Sequence, residues 1–305
     1  MFELRICVTL KCNYKCTYCS KDGEGIYSQN SNLRDDEIIN IIEQLSKKGV
    51  NSVRLTGGEP FCRKNLINLA EKIKSINGIE KVSLVTNGAL IKQDEIDLMA
   101  KKQIFSYVSV SLDTLQREQY RKITRNDTFE VVIDNIKLMT KKGIKTRINC
   151  VLTKENQNEF ESILDFCINE KIDLKILDLY NDKSKYVSLD EIKDMLLKKG
   201  FKLSSLERIL GRLGTPMEVY EGFGIKVIVK DSMRGTTYSK LVCQKCERYP
   251  CQIGIIGPIM THDGIIKICT FGREMGMNCF GIEDIDKIHK ILVDANDVEE
   301  KWNIE

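Results

Sequence analysis

The stretch T-L-K-C-N-Y-K-C-T-Y-C-S-K-D-G-E-G, residues 9–25, constrains this chain more than any other. On a strand Cys19 would point to the face opposite Cys12 and Cys16. On a loop the same three thiols can converge on one soft metal centre. A structural zinc ion takes four protein ligands; no histidine stands nearby, and Cys7, the nearest other cysteine, sits within the apolar stretch before the loop. Three thiolates on a four-iron cube leave one iron open to a small molecule. The spacing favours such a cluster over zinc or three unrelated buried thiols.

Composition narrows the rest. At 305 residues the chain can bury a large core and carry one smaller appendage. Acids and bases are interspersed and the net charge is only +3, which argues against a nucleic-acid binder held by phosphate contacts. No run of eighteen apolar residues exists, so no membrane-spanning helix is expected. The cysteine loop begins at residue 12, leaving no room for a cleaved leader, and a cytoplasmic protein is expected. In that reducing compartment the twelve cysteines read as metal ligands or buried thiols rather than disulfides. Cys7, Cys62, Cys150 and Cys167 read as core fillers.

Hydrophobic spacing predicts a first strand over 2–9, with Gly23 and Gly25 marking loop. Five further strands follow, at 53–55, 80–86, 106–112, 145–152 and 173–179. Helices are expected over 35–48, 64–76, 93–102, 128–142 and 157–170. Six strands alternating with helices imply parallel strands joined by right-handed crossovers. Cys12, Gly57, Thr86, Ser111 and Lys154 all fall at or just past strand C-termini, where parallel α/β folds assemble their sites. The alternation stops after Tyr180. A Ser188–Glu191 capping box opens a helix over 189–198, residues 203–212 continue in helical style, and 217–230 alternate weakly as strand. The periodicity alone is compatible with an open doubly wound sheet or a partial barrel.

C-x-x-x-C-x-x-C after an N-terminal strand resembles the cluster motif of the radical S-adenosylmethionine (radical SAM) superfamily, and Tyr18 matches the aromatic position of that loop. Within the superfamily the chain is most similar to the GTP 3′,8-cyclases of molybdenum-cofactor synthesis. The resemblance is carried by L-R-I-C-V-T-L-K-C-N-Y-K-C-T-Y-C, V-R-L-T-G-G-E-P-F-C-R, L-V-T-N-G, V-S-V-S-L-D-T and the C-terminal cysteines, from residue 4 to about 272. It implies a TIM-type partial (β/α)6 barrel over 1–181, a helical linker over 182–215 and an auxiliary iron–sulfur domain over 216–305. It also implies a [4Fe-4S] cluster on Cys12, Cys16 and Cys19 whose open iron binds S-adenosylmethionine. An electron from the cluster then cleaves that cofactor to a 5′-deoxyadenosyl radical. A reductant such as flavodoxin or ferredoxin is an implied partner.

Two glycines in Gly57-Gly58-Glu59-Pro60 let backbone approach a ligand closely. By resemblance this loop holds the methionine amino group, with Glu59 receiving that ammonium or orienting the loop. Thr86, Asn87, Ser111 and Lys154 match positions that contact the ribose and carboxylate of the cofactor. Asp113 reads equally as a contact or a cap. Cys243, Cys246 and Cys269 match the ligands of a second [4Fe-4S] cluster. Cys251 falls in an unusually long interval and could close that cluster as a fourth ligand. Zinc on these four cysteines is the alternative; Cys279 is an outside candidate, and His262 reads as a turn residue. Arg5, Arg63 and Arg248 match substrate arginines of the GTP cyclases. Against this, Lys175 replaces an arginine, Pro250 stands where another is expected, and the chain ends K-W-N-I-E rather than in a glycine-rich basic tail. These departures favour a diverged paralogue modifying a peptide or small metabolite, with GTP cyclisation as the alternative. A metal-stabilised binding protein without catalysis is the distant one.

Overall fold

A computed structural model of the chain describes residues 2–19, 32–179, 182, 184–209, 213–270 and 279–297. Gly23, Gly25 and the C-terminal K-W-N-I-E lie outside the described residues. The strands are β1 (Phe2–Cys7), β2 (Val50–Thr56), β3 (Lys81–Thr86), β4 (Tyr107–Ser111), β5 (Thr146–Leu152) and β6 (Asp173–Asp178). Between them run α1 (Asp35–Ser46), α2 (Leu66–Lys74), α3 (Gln93–Lys102), α4 (Arg117–Thr124), α5 (Phe129–Lys141) and α6 (Phe160–Glu170). Each strand pairs in parallel with the next, from β1 to β6. This is the partial-barrel core of the expected α/β class.

Strand alternation divides the core in two. Leu4, Ile6, Val53, Leu55, Leu84, Val108, Val110, Ile148 and Ile176 are completely or almost completely buried against the helices. Each such side chain contributes about 1.5–3 kcal/mol. Their neighbours on the opposite face are polar: Arg5, Arg54, Ser83, Tyr107, Ser109, Arg147, Asn149 and Lys175. One face builds the hydrophobic core, and the other lines a polar lumen.

The C-terminal part extends this sheet at both ends. After α7 (Asp190–Lys199) come β7 (Lys202–Ile209), β8 (Leu213–Gly222) and β9 (Ile225–Lys230). Strand β9 lies parallel to β6, and β8 and β7 follow as antiparallel neighbours. Next are β10 (Thr237–Tyr238), β11 (Ile259–Met260), β12 (Ile266–Lys267), β13 (Cys279–Phe280), α8 (Ile285–Asp294) and β14 (Asn296–Asp297). Strand β11 adds to the far side in parallel with β1, and β12 and β13 continue outward. The small β10–β14 pair stands apart.

Two local expectations are corrected. Residues 203–209 form strand, not helix. Leu203 and Leu206 are three apart, as on a helix, but register shifts between Leu203 and Ser205 and between Glu207 and Ile209 bulge the strand. An extra residue in a bulge changes the alternation of faces, so spacing alone misreads it. The Ser188–Glu191 box also does not form: Leu189 is the N-cap, and Ser188 instead bonds Asp190, accepting from its N–H at 3.3 Å.

Candidate active site

The cysteine loop leaves β1 at the C-terminal end of the sheet and is clamped from two sides. On one side lies α4, a helix of eight residues whose amphipathic pattern is too short to stand out in sequence. Its last turn accepts the Lys15 N–H at Thr124 O (3.2 Å) and the Thr17 N–H at Ile123 O (2.9 Å). Tyr14 reaches the Tyr120 and Thr128 hydroxyls, and the Asn126 amide donates to Asn13 O at 3.2 Å. On the other side is the glycine turn. Gly58 N–H donates to Thr9 O at 2.7 Å and Glu59 N–H to Lys11 O at 2.8 Å. A Cβ on Gly58 would stand 2.5 Å from Lys11 O and 2.6 Å from Leu10 O. Only glycine permits that approach.

Glu59 works inward. It is 1% exposed, and its carboxylate accepts from the Thr86 hydroxyl (2.7 Å), the Asn87 N–H (2.6 Å) and the Phe61 N–H (3.0 Å). Burial raises its pKa and those three donors oppose the shift. The carboxylate thus ties the glycine turn to the end of β3. Asn87 continues the network to Asn13 Oδ1 at 2.8 Å.

Tyr18 is similarly committed. Its hydroxyl donates to Asp113 at 2.5 Å, while the other Asp113 oxygen accepts the Val151 N–H at 2.8 Å. Burial lifts the Asp113 carboxyl to about 6, with both donors opposing. Burial likewise raises the Cys12 thiol, and pushes Cys16 up to about 12 with help from nearby Asp113.

Cys12, Cys16, Cys19, Tyr18, Gly57, Gly58, Glu59, Thr86, Asn87, Ser111 and Asp113 line one cavity of about 170 Å3. Pro60 is buried beside it and starts a short 3-10 turn. Lys154 is exposed and is not among the lining residues. Cys7, Cys150 and Cys167 are buried, whereas Cys62 is half-buried close to Cys12. The residues present fit a cluster carrying a small chelating ligand. Three thiols face the cavity that the glycine turn abuts, and in a cube each sulfur takes its own iron rather than sharing one ion.

Below this cavity lies the polar lumen. Arg54 pairs with Glu3 at 2.9 Å and donates to the Tyr107 hydroxyl at 2.7 Å. Arg147 stacks 4.5 Å from the centre of the Tyr107 ring. Arg5, Arg54, Arg147, Lys175 and Lys230 fall on the same face of the sheet, and Lys175 feels the other four. Burial, then Arg5, holds Lys230 down at about 8. Arg63 is not part of this group. Its guanidinium donates to Val8 O (2.9 Å), Leu33 O (2.8 Å) and Asp35 (2.6 Å), bracing the loop that follows β1.

Cys269 and Cys251 of the second cysteine group pack around β11, the strand beside β1. Ile259 is the register partner of Arg5 and shares its face of the sheet. Cys269 packs with Ile253, Ile256 and Ile259, and Cys251 adjoins that cluster. Cys243 lies near Cys251 and Cys246, and burial pushes its thiol up to about 11. Gly257 runs beside Glu3 O at the start of β1, so these thiols lie toward the N-terminal ends of the strands. Cys279 sits half-buried on β13, Arg248 is exposed, and His262 is buried in the turn after β11. Sequence reading missed Arg54, Arg147 and Lys230. Their signal was a cation on a strand face opposite fully buried aliphatics, visible once the register is known.

The sequence model of the Radical SAM superfamily matches residues 6–167, more than half of the chain. A GTP 3′,8-cyclase of Clostridium perfringens is 29% identical over 299 residues, covering 95% of this chain and 85% of the relative. The GTP 3′,8-cyclase of Haemophilus influenzae is 30% identical over 287 residues, covering 90% and 79%. Among solved structures, anSMEcpe with bound S-adenosylmethionine shares the fold at a TM-score of 0.63, with 20% identity over 95% of this chain and 80% of that one. SuiB of Streptococcus suis gives a TM-score of 0.66, with 19% identity over 94% of this chain and 65% of that one. The sequence match and the shared fold agree with the cavity found here, and the chain belongs to the radical SAM superfamily.

Proposed function

We propose that this radical SAM enzyme acts on a small anionic metabolite held in the lumen, between S-adenosylmethionine at the C-terminal strand ends and a second iron–sulfur cluster toward the N-terminal ends. When bound, the first cluster would supply the electron that generates a 5′-deoxyadenosyl radical. The chain's own contribution is positioning and exclusion of water. Cys12, Cys16 and Cys19 would hold the first cluster, Gly57–Pro60 and Ser111 would meet the cofactor, and a flavodoxin- or ferredoxin-type reductant would deliver the electron. Cys243, Cys246, Cys251 and Cys269 would hold the second cluster.

One observation carries the substrate class. Arg5, Arg54, Arg147, Lys175 and Lys230 share one face of the sheet, while Glu3 is engaged by Arg54 and Asp178 accepts from Ser232. Lys175 is buried there and makes no ion pair among the described residues, and an amine so placed calls for an anion. A second reading, GTP cyclisation, is favoured by the 29% identity to the C. perfringens GTP 3′,8-cyclase over 95% of this chain. The test is anaerobic reconstitution, then reductant, S-adenosylmethionine and pools of phosphorylated metabolites, carboxylates, GTP alone or peptides. We expect an anionic pool to accelerate 5′-deoxyadenosine release. Acceleration by peptides only would refute the reading, and consumption of GTP would establish the second one.

A further inference from the structure

The lumen cations are not equivalent. Arg5, Arg54 and Arg147 are guanidinium groups that hold their charge at any physiological pH. Lys175 lies among them on β6, 7% exposed, beside Lys230 on β9. Among the described residues, Glu3 is taken up by Arg54, and Asp178, felt by Lys230, is taken up by Ser232; the Tyr107 hydroxyl accepts from Arg54. Among the described residues Lys175 makes no ion pair. The Nε–H groups of Arg54 and Arg147 are buried with no hydrogen-bond partner among the described residues, although both guanidinium groups are otherwise engaged. Unpaired buried donors of this kind are costly. Two orphaned donors and a buried amine on one face of the sheet describe a seat for acceptor oxygens that carry negative charge.

We propose that an anionic ligand enters this lumen together with one proton, which Lys175 accepts. The physical reason is the crowding of cations. Burial first, then Arg54, Lys230, Arg147 and Arg5, hold the Lys175 amine well below its ordinary value. A lysine relieves that repulsion by giving up its proton, and an arginine cannot. An anion with two or more negative charges reverses the balance, because it neutralises the fixed guanidinium groups and makes a further cation favourable. Lysine in place of arginine thus converts a permanently charged seat into one that charges only when filled. The inference rests on the lumen being the substrate site.

The test uses the reconstituted full-length protein and cyclic trimetaphosphate, an anion whose charges do not titrate near neutrality. Calorimetry at neutral pH in buffers of different ionisation enthalpy reads the protons taken up on binding. For the native chain the expected value is about one, with affinity rising up to about tenfold per unit fall in pH. That rise stops once Lys175 is protonated in the empty protein as well. Lys175→Arg should keep binding and lose the uptake. Lys175→Met, which removes the charge, should bind more weakly and also without uptake. Trimetaphosphate binding with no proton uptake in the native chain would overturn the proposal and leave the anionic-substrate reading standing. No binding at all would overturn both.

Discussion

Asp113 shows how a single carboxylate can govern the cluster loop. Its two oxygens serve two donors, the Tyr18 hydroxyl and the Val151 N–H. An amide in its place has one acceptor, so one donor would face an NH2 group. Asp113→Asn should therefore destabilise the chain by about 1–3 kcal/mol, measured by denaturation of the cluster-free protein. The pH dependence has a definite sign. The folded protein holds the Asp113 proton up to about pH 6, the unfolded chain only to about 4. Over that window the folded state binds more protons, so this residue's contribution falls as pH rises from about 4 to about 6. Asp113→Asn should remove that slope; an unchanged slope would show that another group causes it.

At the scale of elements, the loop's anchor is α4. Thr17→Pro deletes the N–H that donates to Ile123 O. It should leave the barrel's helical and strand signal intact while iron retention weakens by roughly tenfold, the equivalent of about 1.4 kcal/mol. Full iron retention would show that the clamp is dispensable. The long amphipathic helices and the six parallel strands were legible in sequence because each repeats one period over many residues. The elements that escaped are short or irregular. Helix α4 offers two turns with only Tyr120, Ile123 and Thr124 buried. Strand β7 carries bulges that imitate helical spacing. The triad and glycine turn were readable because their chemistry is local, whereas the lumen cations come together only through strand register. Arg63 shows the reverse case: its position suggested substrate, and its partners Val8, Leu33 and Asp35 make it a brace.

For the whole molecule, the sheet carries the first cysteine group past its strand C-termini and a row of cations on one face. That charge carries a cost in the empty protein. Lys230 releases its proton near pH 8 in the folded state and near 10.4 when unfolded. Between those values the unfolded chain binds more protons, so stability should rise with pH from about 8 toward 10.4. Saturating trimetaphosphate at neutral pH should raise stability by about 2.7 kcal/mol at a hundredfold excess over its dissociation constant. Thermal denaturation across that pH range checks the first, and at neutral pH with and without the anion the second; equal midpoints at neutral pH would mean the lumen does not take anions.

The most direct test of the account is 5′-deoxyadenosine formation by the anaerobically reconstituted chain, compared with its Cys16→Ser variant. We predict that the native protein, given reductant and S-adenosylmethionine, releases 5′-deoxyadenosine and that the variant releases none above background. Undiminished release by Cys16→Ser would contradict the assignment of the three cysteines on which the whole reading rests.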